Sequence, residues 1–331
     1  MVATGSNPRN IESPITLIAI VGPTAVGKSV VAMSIAPELD AEIISVDSMQ
    51  VYRGMDIGTS KPVEAEREEV VYHLVDVADP GRDFSVAQFK EMADNAVRDV
   101  VARGRRPMLV GGSGLYYRAV VDDLDFTGVR GKVGMGGATT GDTSNRELHA
   151  TLVRLDPEAA REIDASNRKR VIRAIEVARG GGRLISERQD SWVEFTSPYD
   201  LIAVGLEMER SLLYRLIDRR VDRMITMGLV GEVRRLRRGG LKAGSTAGEA
   251  LGYRQMLRFI EDGCTLEEAT GEMKKRTRRF ARRQVTWFRK DPRIRWFTVE
   301  CHPGGTGEEI EQGLARGAAL ALEYIAGKLE N

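Results

Sequence analysis

Cysteine and histidine are scarce in this chain of 331 residues, and their scarcity excludes two common ways of stabilising a fold. The two cysteines, Cys264 and Cys301, cannot build a disulfide framework. The three histidines, His73, His149 and His302, do not stand with the cysteines at the spacing of a zinc site. With 42% hydrophobic and 29% charged residues, the composition is that of an ordinary globular protein. We therefore expect a hydrophobic core and no structural metal.

Long apolar runs are also absent. Uninterrupted apolar stretches such as Leu17–Val21 have the length of a strand and fall far below the ~18 residues that cross a bilayer. Residues 1–14 (MVATGSNPRNIESP) lack both the basic start with an apolar block and the amphipathic Arg/Ser pattern of targeting segments. We interpret residues 1–14 as a disordered leader. We expect a cytoplasmic protein without a membrane partner.

An excess of charge of one sign is missing from the whole chain but present in one segment. The 49 basic and 48 acidic residues almost cancel, which argues against a protein that coats nucleic acid over its whole surface. The segment Lys274–Lys290, however, holds nine Lys or Arg and no acid. The neutral total therefore hides a polarised chain.

Short apolar runs alternate with helical patterns over the first 125 residues, as in βαβ units with a parallel sheet. Pro37 predicts that the first helix ends near Ala36, because proline cannot donate the helical hydrogen bond. The predicted strands are Ile15–Val21, Ala41–Val46 and the run after Pro107, and the other predicted helices are Val86–Gly104 and Leu115–Val121.

A complete G-x-x-x-x-G-K-[ST] motif stands between the first predicted strand and the first predicted helix, which is the context that confirms a P-loop. Its glycines let backbone N–H groups turn inward to bind an anion, and the helix N-terminus adds a positive dipole. Lys28 can bridge phosphate oxygens, and the Ser29 hydroxyl can hold Mg²⁺. Asp47 ends the second strand at the same edge of the sheet, where ligand chemistry is the better interpretation than helix capping. The motif residues are Gly22, Pro23, Thr24, Ala25, Val26, Gly27, Lys28 and Ser29.

The second half of the chain is mostly helical. Six glycines between Thr127 and Asp142 predict a flexible connector, and Leu201–Met208 predicts a strand that returns to the sheet. We predict an α/β fold with a P-loop NTPase-like parallel sheet core, formed by residues 15–125 and 196–331, and a helical insertion domain at residues 126–195. The further predicted elements are helices at 146–155, 156–164, 169–178, Leu212–Arg238, Glu249–Glu261 and Leu266–Lys290, a strand at Trp296–Val299 and a helix after Glu308.

Nine sequence blocks, in order and at matching spacing along about residues 15 to 297, resemble the tRNA dimethylallyltransferases, also called isopentenylpyrophosphate transferases. The blocks are GPTAVGKS at Gly22, DSMQVYRGMDIGTSKP at Asp47, YHLVDVADP at Tyr72, FSVAQF at Phe84, VGGSGLYYRAV at Val110, KRVIRAIEV at Lys169, RRVDRMITMGLVGEV at Arg219, ALGYRQ at Ala250 and RRQVTWFRKD at Arg282.

The resemblance implies transfer of a dimethylallyl group from its diphosphate to the exocyclic N6 of an adenosine next to the anticodon of tRNA, with release of pyrophosphate. It implies that Asp47 is the base, because the N6 amine becomes acidic only as it bonds to carbon. It further implies that Thr24, Lys28, Ser29 with Mg²⁺ and Arg220 neutralise the departing pyrophosphate.

The resemblance also implies contacts with the anticodon stem-loop of tRNA. Lys275, Arg279, Arg282 and Arg289 can share one side of a helix, where they could follow phosphates. The implied tRNA-binding residues are Asp47, Ser48, Met49, Gln50, Ser113, Lys169, Arg170, Val171, Ile172, Arg173, Gly252, Tyr253, Arg254, Gln255, Arg282, Arg283, Gln284, Trp287 and Arg289.

Two residues depart from the family pattern. Leu216 stands where the family has the first of two arginines that bind diphosphate, and Arg215 or Arg219 are the candidates to replace it. Glu249 stands where a basic residue is common, so a carboxylate faces the expected path of RNA phosphate.

Three alternatives remain at the level of sequence. The chain could prenylate free AMP, it could be a small-metabolite P-loop kinase, or it could be a non-catalytic RNA-binding P-loop module. The long basic C-terminal region argues against the free nucleotide. No coiled-coil heptads occur, and we expect a monomer.

Overall fold

Six parallel strands form the centre of the molecule, and the sequence predicts a parallel sheet with five of them. The structure, a computed structural model, describes residues 14–124, 126, 143–180, 184–186, 195–300 and 307–330. The strands lie in the order β3-β2-β4-β1-β5-β6, and every neighbouring pair is parallel. They are β1 Thr16–Val21, β2 Ala41–Ser45, β3 Tyr72–His73, β4 Arg106–Gly111, β5 Asp200–Glu207 and β6 Ile294–Thr298.

Helices cover both faces of this sheet, as parallel strands require. None of the helices in the described part of the chain is long and apolar enough to cross a membrane. They are α1 Lys28–Ile35, α2 Glu64–Glu69, α3 Val86–Ala102, α4 Gly114–Val121, α5 Asn145–Leu155, α6 Pro157–Glu162, α7 Arg168–Arg179, α8 Arg210–Thr226, α9 Leu229–Arg238, α10 Tyr253–Glu261, α11 Leu266–Phe288 and α12 Gly307–Leu329.

The central strand β1 divides its side chains between two hydrophobic clusters. Leu17, Ala19 and Val21 point to the face covered by α3, α4 and α9–α11. Ile18 and Ile20 point to the opposite face, which is covered mainly by α1 and α12. Because successive residues of a strand face opposite sides, a strand buried on both faces is apolar throughout.

Helices α5, α6 and α7 form a third hydrophobic cluster of their own. Leu148, Leu152, Val171 and Ile175 are among its buried members. Ser144 caps α5, and Asp156 caps α6 by accepting a hydrogen bond from Ala159 N–H at 3.1 Å. These three helices therefore do not depend on the sheet for their apolar contacts.

Two predicted helices differ from those in the structure. The predicted helix Leu212–Arg238 is two helices, because Gly228 adopts a left-handed conformation with φ 97° between α8 and α9. The predicted helix from Glu249 begins only at Tyr253, after Gly252 with φ 90°. The short strand β3 and the six-residue helix α2 were not predicted. The expected end of α1 near Ala36 is confirmed, while the predicted connector and all but the last residue of the predicted leader lie outside the described residues.

A buried carboxylate from α9 anchors the long loop that follows β2. Glu232 is only 2% exposed and accepts hydrogen bonds from the N–H groups of Asp56, Ile57 and Gly58 at 3.1, 2.8 and 3.3 Å. The hydroxyl of Tyr253 donates to the same carboxylate at 2.6 Å. A side chain at Gly58 would place its Cβ 2.5 Å from the Tyr253 ring. This loop therefore has a defined conformation that is set by α9 and α10.

We expect Glu232→Ala to lower the free energy of unfolding by about 3 kcal/mol, because the substitution leaves buried N–H groups and a phenol without their acceptor. Urea denaturation measures this loss. Glu311→Ala, at an exposed position of α12, is the control and should change stability by less than about 0.5 kcal/mol. Equal stability of the two variants would contradict an anchoring role for Glu232.

Candidate active site at the carboxyl edge of the sheet

The P-loop leaves the middle of the sheet, where β1 lies between β4 and β5. Gly22 has φ 146°, and a Cβ on it would lie 2.5 Å from the backbone oxygen of Leu206. Gly27 has φ 94° and precedes the first residue of α1. Lys28 Nζ donates to the Pro23 carbonyl at 2.7 Å, which holds the ammonium group across the loop. The loop and the N-terminus of α1 therefore form the nest for an anion that the motif predicts.

Two cationic side chains meet at this nest. Arg220 of α8 donates to Thr24 Oγ1 at 3.2 Å. Although part of the surface of Lys28 stays open to solvent, removal from water and the neighbouring Arg220 lower the pKa of Lys28 to about 7, while Asp47 acts in the opposite direction. Burial also lowers the pKa of Arg220, and Asp47 again opposes it. Thr24, Lys28, Arg220 and Asp47 therefore lie together at the nest, where burial disfavours the charge of both cations.

Asp47 lies at the end of β2, where its backbone enters the loop anchored by Glu232. Its Oδ1 accepts a hydrogen bond from Met49 N–H at 2.9 Å. Within the described residues, its Oδ2 accepts no hydrogen bond, so one oxygen is available to a substrate. Tyr116 packs close by, and burial, Tyr52 and Asp47 all raise the pKa of its phenol.

The residues that follow Asp47 are held by polar contacts. Ser48 N–H donates to Ser113 Oγ at 3.0 Å, and the two hydroxyls are 3.2 Å apart. Gln50 accepts a hydrogen bond from Ser45 Oγ at 2.8 Å and donates to the carbonyls of residues 59 and 60. Met49 packs against the larger hydrophobic cluster of the sheet. The structure thus brings Ser48 and Ser113, both predicted tRNA contacts, to the side of Asp47.

Helix α11 has a buried and a basic side. Gln284 and Phe288 are buried, and Trp287 packs on Gly114, where a Cβ would lie 2.4 Å from its ring. On the opposite side, Lys275, Arg279, Arg282 and Arg283 are exposed. This division agrees with the helical spacing in the sequence.

Part of the basic segment is neutralised by other elements. Arg278 pairs with Asp218 at 2.7 Å, Lys274 pairs with Asp222 at 2.6 Å, and Arg289 pairs with Glu207. Within the described residues, Lys275, Arg279 and Arg282 form no ion pair. We name these three the basic stripe of α11.

The block around α10 has a different character from the one the resemblance implies. Tyr253 and Gln255 are buried. The hydroxyl of Tyr253 donates a hydrogen bond to Glu232, and Gln255 Oε1 accepts one from Gly252 N–H at 2.8 Å. Both side chains support the local fold, and neither offers an accessible surface here. Arg254 is exposed and pairs with Glu249 at 2.8 Å, so the unusual carboxylate has a cationic partner.

In α7, only part of the predicted tRNA block is exposed. Lys169 and Arg170 are exposed in the first turn, whereas Val171 is buried in the third cluster with Ile172 packed against it. Arg173 pairs with Glu176 at 3.3 Å. The exposed cations of this block are therefore Lys169 and Arg170.

Arg219 and Arg220 are adjacent in α8 but differ in position. Arg219 is exposed, while Arg220 reaches the P-loop. Arg215 precedes Leu216 in the same helix, and both are partly buried. The aligned position of Arg220 is thus the one that the fold directs to Thr24.

Sequence reasoning did not identify the contacts of Glu232 or the contact of Gln284 with the P-loop. The pattern held a signal for Glu232, because it shares a helical side with the buried Leu229, Val233 and Leu236. No such signal shows which backbone groups a buried side chain will reach.

The donor set for a metal is small. The described residues contain no group of three or more His, Cys, Asp or Glu side chains that could hold a metal ion. Ser29 is exposed at the start of α1, and within the described residues its hydroxyl forms no hydrogen bond. This arrangement fits Mg²⁺ that is held mainly by the oxygens of a bound diphosphate and water.

The chain is similar to known proteins along most of its length. The model of the IPP transferase family matches residues 50–291, and that of the isopentenyl transferase family matches residues 15–77. A tRNA dimethylallyltransferase of Thermobifida fusca is 48% identical over 292 residues, which cover 86% of this chain and 90% of the relative. The tRNA dimethylallyltransferase of Carboxydothermus hydrogenoformans is 46% identical over 287 residues, 85% of this chain and 91% of the relative.

Solved structures show the same fold. The full-length tRNA isopentenylpyrophosphate transferase of Bacillus halodurans superposes with a TM-score of 0.69 at 39% identity, covering 95% of this chain and 97% of that one. A eukaryotic dimethylallyltransferase acting on tRNA superposes with a TM-score of 0.71 at 26% identity, covering 86% of this chain and 74% of that one. The family match and the identity along most of the chain establish that this protein belongs to the tRNA dimethylallyltransferase family.

Proposed function

We propose that this tRNA-prenylating enzyme transfers a dimethylallyl group from dimethylallyl diphosphate to N6 of an adenosine next to the anticodon. The observation that carries the proposal is the convergence of Lys28, Arg220 and Thr24 with Asp47 at one edge of the sheet. Lys28, Arg220 and Thr24 can bind a diphosphate. Asp47 can accept a proton from the attacking nucleophile. A kinase would transfer a phosphoryl group to an acceptor, whereas in the proposed reaction both phosphates leave together as pyrophosphate.

The reaction balances with these residues alone as acid–base and electrostatic groups. The N6 lone pair attacks C1 of the dimethylallyl group while the C1–O bond breaks, and both electrons of that bond leave with pyrophosphate. Asp47 accepts the N6 proton through its free oxygen, because the amine becomes acidic as the new C–N bond forms. Lys28, Arg220 and the loop N–H groups neutralise the charge that develops on the leaving oxygen.

Mg²⁺ would be held by the Ser29 hydroxyl together with diphosphate oxygens. When bound, it supplies positive charge that stabilises the departing pyrophosphate. The pKa of Lys28 is lowered first by burial and then by the neighbouring Arg220. A bound diphosphate would oppose both effects, because its negative charge favours the protonated ammonium group.

The tRNA would lie along the basic stripe of α11 and extend to Lys169 and Arg170 of α7. The stripe lacks ion-pair partners within the described residues, so its charges remain available to phosphates. The insertion domain at 126–195, whose described helices have their own cluster, would grip the anticodon stem-loop. The target adenine must leave its stack to reach Asp47. We further propose that the enzyme is a cytoplasmic monomer.

Mass spectrometry of tRNA nucleosides tests the proposal directly. Incubation of the protein with dimethylallyl diphosphate and unmodified tRNA should yield N6-dimethylallyladenosine in the anticodon loop. A parallel reaction with AMP should yield no product, and ATP without the alkyl diphosphate should yield no ADP. Prenylated AMP or acceptor-dependent ADP would favour the free-nucleotide or the kinase alternative instead.

We expect Asp47→Asn to lower kcat by about 100- to 10,000-fold, because an amide cannot accept the N6 proton. Single-turnover transfer with saturating substrates measures the effect on the chemical step apart from any change in the affinity for tRNA. Asp262→Asn, at a side chain that is 62% exposed, is the control for loss of one carboxylate. Wild-type turnover in Asp47→Asn would exclude Asp47 as the base.

We expect Arg220→Gln to lower kcat by about 100- to 1,000-fold, because a donor aimed at the leaving group is lost. The neighbouring Arg219→Gln removes the same charge at an exposed position and should leave kcat close to wild type. Steady-state kinetics with varied dimethylallyl diphosphate separates the two variants. Equal losses would show that net charge rather than the contact with Thr24 matters.

Neutral substitutions in the basic stripe should weaken tRNA binding without affecting chemistry. Arg279→Gln and Arg282→Gln should each reduce the slope of log affinity against log salt by about 0.7 to 0.9. Filter binding over a salt series measures the slope. Lys328→Gln on α12 is the control. An unchanged slope in both stripe variants would exclude the basic stripe as a tRNA-binding surface.

A further inference from the structure

Gln284 is a buried amide whose two ends contact two different loops of the donor site. It lies on α11 and is 7% exposed. Its Oε1 accepts a hydrogen bond from Thr24 N–H at 2.8 Å, and its Nε2 donates to the Gly112 carbonyl at 2.8 Å. Thr24 belongs to the P-loop after β1, and Gly112 to the turn after β4. One side chain thus joins the ends of two neighbouring strands.

The turn after β4 leaves room for this amide only because residue 112 is a glycine. A Cβ on Gly112 would lie 2.2 Å from Gln284 Nε2. The amide therefore lies against the backbone of Gly112 at one end and is bonded to the backbone of Thr24 at the other. Hydrogen bonds of this kind, to groups that are otherwise buried, fix the conformation of both partners.

Thr24 is consequently held at two points. Gln284 fixes its backbone N–H, and Arg220 donates to its Oγ1 at 3.2 Å. The hydroxyl stands beside the two cations that face the diphosphate. A change in the position of the Gln284 side chain would therefore shift both the Thr24 hydroxyl and the Arg220 guanidinium that contacts it.

The same helix carries the basic stripe on its opposite side. Arg282 is exposed two residues before Gln284, so the two side chains leave α11 in nearly opposite directions. A helix is rigid over such a short distance. The basic stripe and the side chain that contacts the P-loop are thus connected through one rigid helix, α11.

We propose that Gln284 is a positioning residue that fixes Thr24 of the P-loop for catalysis. Through Gln284, the position of helix α11 is linked to the leaving-group site. Its part in the reaction is contact with the P-loop, and direct contact with tRNA is not required. The proposal rests on the proposed function, because it concerns the departure of pyrophosphate.

The test is Gln284→Met, which keeps the length of the side chain and removes both hydrogen bonds. We expect the single-turnover rate at saturating substrates to fall by about 10- to 100-fold, the effect of misplacing a reacting group by about 1 Å. The dissociation constant for tRNA should remain close to that of wild type. Gln312→Met, an exposed position on α12, is the matched control.

A double-mutant cycle separates positioning from a general loss of structure. Thr24→Val removes the hydroxyl that Gln284 is proposed to place, so adding Gln284→Met to it should cause a smaller loss of rate than adding it to the wild type. Independent, multiplicative losses would overturn the proposal. So would a wild-type rate in Gln284→Met, or a defect confined to tRNA affinity.

Gln284→Asn provides a second, neutral variant, and it replaces Gln284→Met should the latter fail to fold by circular dichroism. The shorter amide keeps a donor and an acceptor but cannot reach both Thr24 N–H and the Gly112 carbonyl, so its rate should fall below that of wild type. A rate equal to wild type would count against the proposal. An inactive wild-type enzyme would refute the proposed function, whereas an active wild type with equally active Gln284 variants would refute this inference alone.

Discussion

The burial of two cations, Lys28 and Arg220, at one anion nest is the constraint on which the site depends. Two cations stand at one nest, and removal from water makes each charge more costly than it would be at the surface. A protein keeps such an arrangement where an anion of higher charge neutralises it. A diphosphate, the leaving group of the proposed reaction, satisfies this condition.

The fold places these cations by joining distant parts of the chain. Lys28 comes from the N-terminus of α1, Arg220 from the middle of α8 and Gln284 from α11, and all three converge on Pro23 and Thr24. Parallel strands make this possible, because their carboxyl ends meet at one edge and the following loops share that edge. The loop after β2 completes the site, with Glu232 holding it from the side of α9.

The two departures from the family pattern, Glu249 and Leu216, differ in whether a neighbouring residue compensates for them. The carboxylate of Glu249 is paired with Arg254, which reduces its repulsion of a nearby phosphate. Of the two candidates to replace the arginine missing at Leu216, Arg219 is exposed and Arg215 is partly buried. Among the described hydrogen bonds, the arginine of α8 that contacts the P-loop is Arg220.

The sequence by itself determined the P-loop, the parallel α/β core, the position of Asp47 at a strand end and the two-sided character of α11. These are local features, because motif spacing and the periods of strands and helices follow from backbone geometry. It did not determine the break at Gly228, since a glycine inside an apolar helical pattern is compatible with either a continuous or a broken helix. Only the tertiary structure decided that Tyr253 and Gln255 are buried, that Glu232 anchors the loop after β2 and that Gln284 reaches the P-loop. These contacts join residues separated by up to 260 positions, and their partners are backbone groups that every residue carries. No pattern of side chains can therefore specify them before the chain is folded.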